Sequence, residues 1–228
     1  MSATATPNSR PDTGTRRSIR ESVLNVAFDM HSDGTWERTS MRNIAIAAGV
    51  SRQTLYDQFG DRTGVTRALL GRETDRLLDG VDQRWRQVRE NGAAAGDCLA
   101  AAMNQLLAAS HSHPLLREVL TGRDPGLAGT NGGLGLAGVI TELCRRLGYA
   151  VGTYGQPARP DQLRAVEILV RVTLSYLLVP AEPHQQARIQ IEHAARTLLP
   201  AHPRGPRPAA EPVPADHPSD REREPLFR

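Results

Sequence analysis

The sequence predicts an all-α protein, and three observations support this prediction. Apolar residues recur at helical spacing from about residue 18 to residue 199, and no alternating strand pattern bounded by turn residues occurs. The long apolar segments consist mainly of Ala, Leu and Val, and only 4% of the chain is aromatic, a composition that suits packed helices. The 228 residues are enough for one or two domains with a real core.

Both ends of the chain have a composition that cannot form a core. Residues 1–17 are mostly Ser, Thr, Pro and Arg, and residues 200–228 hold 8 of the 16 prolines. We therefore expect a disordered basic arm over 1–17 and a disordered Pro-rich tail over 200–228.

Apolar periodicity and capping residues divide the span between these ends into helices. Thr39 or Ser40 is the expected N-cap of the second helix, Ser51 that of the third, and Asp61 starts the fourth. A further short helix is expected to start at Pro114. The other predicted helices cover 18–32, 41–47, 52–58, 61–88, 94–111, 136–147, 161–179 and 184–199.

Residues 39–62 have the features of a helix-turn-helix. Such a motif needs a small residue where its helices cross, a turn residue that tolerates a left-handed backbone, and apolar anchors on both helices. Ala45 provides the small residue and Gly49 provides the turn. The predicted apolar anchors are Ile44, Val50, Leu55 and Phe59.

The residues predicted to face outward from this motif suit the major groove of DNA. Arg52 can contact guanine bidentately, Gln53 can contact adenine, and Thr54 offers a methyl group to thymine. Tyr56 carries a hydroxyl suited to a phosphate. Ser51 begins a helix whose backbone amides can bind a second phosphate. The full predicted DNA-binding set is Thr39, Ser40, Ser51, Arg52, Gln53, Thr54, Tyr56, Asp57 and Arg62.

The stretch from Thr39 to Arg62 resembles the TetR family of bacterial repressors. Ile-Ala, Ala-Gly-Val-Ser, Thr-Leu-Tyr and Phe stand in that family's order and spacing, and the likeness extends over 18–75. Arg62 stands where the family commonly has lysine, which keeps the charge but changes the donor geometry, and Gln53 often corresponds to glycine. The resemblance implies a helix-turn-helix DNA-binding domain over 18–62, joined by a long helix to an α-helical regulatory domain over 63–199.

The resemblance also implies a homodimer that binds a palindromic operator and is released by a small molecule. In the family the last two long helices pair with their symmetry mates, which would place half-sites about one DNA turn, ~34–36 Å, apart. Because few charges fall on the inner stripes of the regulatory helices, we expect a largely apolar effector. The predicted dimer-interface residues are Leu163, Val166, Val170, Leu174, Ile191 and Ala195. The predicted ligand-binding residues are Met103, Leu106, Leu107, Ile140, Cys144 and Tyr176. For each of them the alternative is that the side chain only packs in the core.

Three other features have structural explanations that we prefer. Residues 133–138 match GxGxxG but follow no predicted strand, so they are expected to be a loop entering a helix. His111 and His113 do not share a helix face and have no accompanying cysteine or carboxylate cluster, which argues against a metal site. For the N-terminal arginines we prefer a solvated tail to an arm that enters the minor groove. The arginines concerned are Arg10, Arg16, Arg17 and Arg20.

The sequence leaves two further functions open. One is a helical small-molecule-binding protein or enzyme with an incidental helix-turn-helix, which a cluster of titratable residues in the C-terminal domain would indicate. The other is an activator with the same mode of DNA binding. We expect no enzymatic activity, no cofactor and no metal. The absence of a secretory signal and of a membrane-length apolar span, with Cys98 and Cys144 expected as reduced thiols, predicts a cytoplasmic location.

Overall fold

The computed structural model describes residues 13–112, 136–152, 157–179 and 184–201, and all regular secondary structure within these ranges is helical. The all-α prediction is therefore confirmed. The elements are α1 (Thr13–Ser32), a 3-10 turn (Trp36–Arg38), α2 (Met41–Ala47), α3 (Arg52–Phe59), α4 (Arg62–Glu90), α5 (Ala95–Ser112), α6 (Leu136–Val151), α7 (Pro160–Leu178) and α8 (His184–Leu198). None of these helices is long and apolar enough to cross a membrane.

Two helices extend several residues beyond their predicted ends. The first helix begins at Thr13, so residues 13–17, predicted as part of a disordered arm, are helical. Once the apolar stripe has nucleated a helix, adding polar residues at its end costs little. α6 continues through Gly148 to Val151, both of which are buried, so packing outweighs the low helix propensity of glycine there. Residues 1–12, Pro114, the 133–135 part of the GxGxxG match and the tail beyond 201 lie outside the described residues.

Three side-chain caps and one glycine fix the turns around the helix-turn-helix. Ser40 Oγ accepts the Asn43 amide at 3.2 Å, Ser51 Oγ accepts the Thr54 amide at 3.0 Å, and Asp61 Oδ1 accepts the Gly64 amide at 2.7 Å. The N-cap of α2 is therefore Ser40 rather than Thr39. Gly49 turns the chain between α2 and α3 with φ of +68°, a conformation that glycine adopts without steric strain.

The buried apolar side chains form two separate cores, and α4 contributes to both. α1, α2, α3 and the first half of α4 enclose the N-terminal core, which includes Leu24, Ile44, Leu55 and Leu69. The second half of α4 packs with α5 to α8 around the C-terminal core, which includes Leu78. One continuous helix therefore connects the core of the helix-turn-helix to the C-terminal core.

A largely buried arginine lies on α4 between the residues that enter the two cores. The Arg72 side chain is only 9% exposed, and its Nε donates to Glu73 Oε1 at 2.7 Å. Its Nη1 donates to Asn25 Oδ1 at 2.7 Å and to Glu21 Oε2 at 3.3 Å, and its Nη2 donates to the Leu24 carbonyl at 3.2 Å. This arginine therefore connects α4 to α1 through both side-chain and backbone acceptors.

A second ionic cluster connects α4 to α6. Arg146 Nη1 donates to Asp79 Oδ1 and to Asp82 Oδ2, each at 2.9 Å, and its Nε donates to Glu142 Oε1 at 2.8 Å. Hydrogen bonds from Arg145 and Arg146 lower the pKa of Glu142 to about 2. This carboxylate stabilises the fold when it is ionised, so its contribution is lost as the pH falls from its unfolded-state pKa towards about 2.

Five of the six residues predicted at a dimer interface are instead buried within their own chain. Val166, Val170, Ile191 and Ala195 are fully buried and Leu174 is 4% exposed, because α5, α7 and α8 cover one another. Only Leu163, which is 46% exposed, remains at the surface. The apolar side chains that α7, its C-cap and α8 do leave exposed are Leu163, Ile168, Leu178, Val179, Ile189 and Leu198.

Candidate nucleic-acid interface

The residues predicted to hold the helix-turn-helix together lie in the N-terminal core or at its turn. Ile44, Ala45, Leu55 and Phe59 are buried, and Val50 is half-buried against them. The Val50 amide donates to the Ala45 carbonyl at 3.0 Å, which closes the turn made by Gly49. This packing orients α3 against α2 and α4 and leaves its opposite face open to solvent.

The open face of α3 carries the side chains that the sequence predicts to contact bases. Arg52, Gln53 and Asp57 are exposed, and Tyr56 is 41% exposed. Gln53 and Asp57 contact each other, because Gln53 Nε2 donates to Asp57 Oδ1 at 2.7 Å. Thr54 is only half-buried and thus retains some access to solvent.

The serine and threonine hydroxyls predicted to contact DNA all have partners within the chain. Ser40 and Ser51 cap α2 and α3, and Ser51 Oγ lies 2.8 Å from Thr54 Oγ1. Thr39 Oγ1 donates to the Thr35 carbonyl at 2.9 Å. These hydroxyls therefore order the starts of the two helices, where free backbone amides and the helix dipole favour a phosphate.

Arg62 is held by an aromatic stack at the start of α4. Its guanidinium lies 4.9 Å from the centroid of the Trp36 ring, and its Nη1 and Nη2 donate to the carbonyl and carboxylate of Glu37. Trp36 is buried and stacks on His31 with ring centroids 4.3 Å apart. Burial lowers the pKa of His31, so its imidazole is neutral near pH 7, and its Nδ1 donates to the Ala27 carbonyl at 2.8 Å. Glu37 accepts two of the five N–H groups of the Arg62 guanidinium, which leaves others for a phosphate.

Exposed arginines lie on either side of the N-cap of α2. Arg38 and Arg42 lie two residues before and after Ser40, and both are exposed. The predicted DNA-binding set did not include them. Their position on either side of an N-cap was the available signal, since a phosphate at a helix start also attracts cations. Arg16 and Arg17 are exposed on α1, whereas the Arg20 guanidinium lies 5.2 Å from the Phe59 ring centroid. Arg10 lies outside the described residues.

The predicted ligand residues lie in or against the C-terminal core. Met103, Leu106 and Leu107 are buried, whereas Ile140, Cys144 and Tyr176 are partly buried against the same cluster. A groove of about 750 Å³ lies between α4, α5 and α8, and of these six residues only Leu107 lines it. The groove walls carry charged side chains, which differs from the largely apolar pocket that the sequence predicted. The charged residues lining it are Arg84, Asp97, Arg188, Glu192 and Arg196.

Comparison with known proteins connects this geometry to one family. Residues 23–69 match the tetR family of bacterial regulatory proteins. The HTH-type transcriptional regulator AlkX of Mycobacterium tuberculosis (strain ATCC 25618 / H37Rv) is 30% identical over 172 residues, which are 73% of this chain and 78% of that protein.

Solved structures show the same fold. The TetR family repressor AlkX from Dietzia sp. strain DQ12-45-1b, implicated in biodegradation of n-alkanes, is 26% identical with a TM-score of 0.56, over 78% of this chain and 96% of that chain. A TetR-family transcriptional regulator from Streptomyces coelicolor is 19% identical with a TM-score of 0.55, over 82% of each chain. The helix-turn-helix geometry and these likenesses together show that the chain belongs to the TetR family of helix-turn-helix transcriptional regulators.

Proposed function

We propose that this protein is a repressor that binds a palindromic DNA operator as a homodimer and releases it when a small, largely apolar molecule binds. The observation that carries the proposal is the open face of α3. Its backbone is fixed by Ala45, Gly49 and Leu55, while Arg52 and its neighbours remain exposed. A rigid helix with free polar side chains and capped helix starts beside it suits reading bases from the major groove.

The side chains divide into two roles in this proposal. Arg52 and Gln53 read bases, because their polar ends are exposed on α3. Tyr56 and Arg62 position the helix on the phosphate backbone, Arg62 through the N–H groups that Glu37 leaves unused. The capped starts of α2 and α3 offer backbone amides to further phosphates.

A mobility-shift titration with DNA from the protein's own promoter region tests the proposal. Arg52→Ala should relax the preference at one base pair by about 1–3 kcal/mol, whereas Tyr56→Phe should weaken binding to all operators about equally. Arg86→Ala, an exposed arginine in the C-terminal half of α4, is the matched control and should change neither property. A wild-type protein that forms no salt-sensitive, sequence-specific complex would refute the proposal.

The effector is proposed to be apolar because the predicted ligand residues lie in or against the C-terminal core. The implication of the Dietzia relative in n-alkane biodegradation points to the same chemistry. Binding within this core would bias α4, which also enters the N-terminal core. An n-alkane and the corresponding fatty acid are the probes to add to the preformed operator complex. If neither dissociates it while a polar metabolite does, the apolar assignment is wrong.

The dimer is proposed to form through the apolar side chains that α7 and α8 leave exposed. Ile168 is 48% exposed and Ile189 is 59% exposed, and a partner that covers them removes this apolar surface from water. Light scattering of the operator complex should give the mass of two chains per duplex. We further propose that the protein acts in the cytoplasm.

A reporter fused to the regulated promoter distinguishes a repressor from an activator. Deletion of the gene should raise reporter expression if the protein is a repressor and lower it if the protein is an activator.

A further inference from the structure

We propose that Arg20 and Arg67 form a binding site for a phosphate group in a groove between α1, α3 and α4. The groove has a volume of about 560 Å³, which lies within the range of small-molecule sites. Its walls carry three arginines and two carboxylates, and Leu24 and Phe59 are its only large apolar side chains. Such walls suit a compact anion better than an apolar molecule.

Small residues on one face of α4 leave room for this groove. Gly64, Ala68 and Gly71 follow one another at spacings of four and three residues, which places them on the same side of the helix. Arg67 lies on this side as well and lines the groove. Arg20 lines it from α1, so the two arginines enter the groove from different helices.

Neither arginine forms an ion pair with another side chain of the described ranges. Arg67 is half-buried, and its buried Nε has no hydrogen-bond partner there. The Arg20 guanidinium lies 5.2 Å from the Phe59 ring centroid, a contact that leaves its N–H groups free to donate. A partly desolvated guanidinium without an acceptor destabilises the folded protein, and a bound anion offsets this cost.

The two carboxylates of the groove do not neutralise these arginines. Glu21 Oε2 lies 3.3 Å from Arg72 Nη1 and 3.9 Å from Arg76 Nη2, so it already has cationic partners. Asp75 stands on α4 about 12 Å farther along the helix axis than Arg67. The positive charge of Arg67 is therefore left for a ligand, and the oxygens of a phosphate group fit the planar fork of a guanidinium.

The groove is separate from the two sites of the proposed function. Gln58 lines it and is half-buried, and this residue stands about 140° around α3 from Gln53 on the open face. The C-terminal core, where the apolar effector is proposed to bind, contributes no residue to the groove. A small phosphorylated molecule and the backbone of bound DNA are the two sources of a phosphate, and titrations without and with DNA distinguish them.

Calorimetric titration of the full-length protein with pyrophosphate, without DNA and at constant ionic strength, tests the site. We expect one site per chain. Arg20→Gln and Arg67→Gln should each weaken binding about tenfold, because each removes charge-assisted hydrogen bonds to the anion. Arg86→Gln, which changes an exposed arginine of α4 outside the groove, is the matched control and should bind like the wild type. Pyrophosphate should also raise the urea midpoint of the wild-type protein more than that of Arg67→Gln.

Operator titration over a range of salt concentrations covers the second source of phosphate. If DNA supplies the phosphate, pyrophosphate does not bind, and Arg20→Gln and Arg67→Gln each weaken binding to all operators. Each should also reduce the slope of log affinity against log salt concentration by about 1, whereas Arg86→Gln changes neither property.

Two results would overturn the inference. One is pyrophosphate binding that neither Arg20→Gln nor Arg67→Gln weakens. The other is an absence of pyrophosphate binding together with an unchanged salt slope in both variants. A wild-type protein that binds pyrophosphate through both arginines but binds no operator would refute the proposed DNA-binding function alone, and the phosphate site would stand.

Discussion

Replacing Gly64 with alanine should displace α3, the helix proposed to read bases, and abolish specific operator binding. A Cβ atom at Gly64 would lie 1.7 Å from the Phe59 carbonyl oxygen and 2.9 Å from its carbonyl carbon. Both are backbone atoms, so no side-chain rotation relieves the clash. α3 and α4 would have to separate, which disturbs the buried Phe59 ring and the bond from the Gly64 amide to Asp61. Overpacking of this kind costs about 3 kcal/mol or more.

Gly80→Ala is the matched control, because it makes the same substitution within the same helix. A Cβ atom there would meet only Gln105 Nε2, at 3.9 Å, an ordinary contact. Alanine is the better helix former, so Gly80→Ala should raise the free energy of unfolding by up to about 1 kcal/mol. Urea unfolding and operator titration of both variants give the comparison. A Gly64→Ala protein with wild-type stability and affinity would show that α3 and α4 do not approach this closely.

The helix-turn-helix could be predicted closely because local chemistry determines it. Ser40, Ser51 and Asp61 each accept an amide three residues ahead, and Gly49 adopts a left-handed backbone between two helices. These signals lie within a few residues of the elements they define, so a single sequence carries them. The prediction that α3 is anchored by Leu55 follows from the same short-range pattern.

Contacts between distant parts of the chain could not be predicted in the same way. α7 has apolar side chains on more than one face, and periodicity does not show which face its own domain covers. The apolar pattern therefore predicts Val166 and Val170 at a partner interface, although both are fully buried within their own chain. Likewise, an arginine in the middle of a long helix gives no sign that it contacts Glu21, 51 residues earlier in the chain.

Arg72→Met should loosen the attachment of α1 to α4 and lower both stability and operator affinity. The substitution keeps much of the apolar stem but removes donors to Asn25, Glu21 and the Leu24 carbonyl. It also takes the 2.7 Å partner from Glu73, whose side chain is 5% exposed. Removing one member of a buried ion pair leaves its partner poorly compensated, and we expect a loss of about 3 kcal/mol in unfolding free energy.

Arg76→Met separates this effect from simple loss of charge on the same helix. Arg76 also pairs with Glu73, at 3.0 Å, but its side chain is 55% exposed, so its removal should cost less than about 1 kcal/mol. Glu73→Gln in the Arg72→Met background should restore part of the lost stability, because it removes a buried charge that then pairs with the more exposed Arg76 and no longer with Arg72. Equal losses of unfolding free energy in the two arginine variants would show that the effect of Arg72→Met does not depend on the burial of Arg72. If Arg72→Met instead weakens operator binding far more than Arg76→Met does, while both variants still bind the effector, the junction on α4 positions the DNA-binding domain.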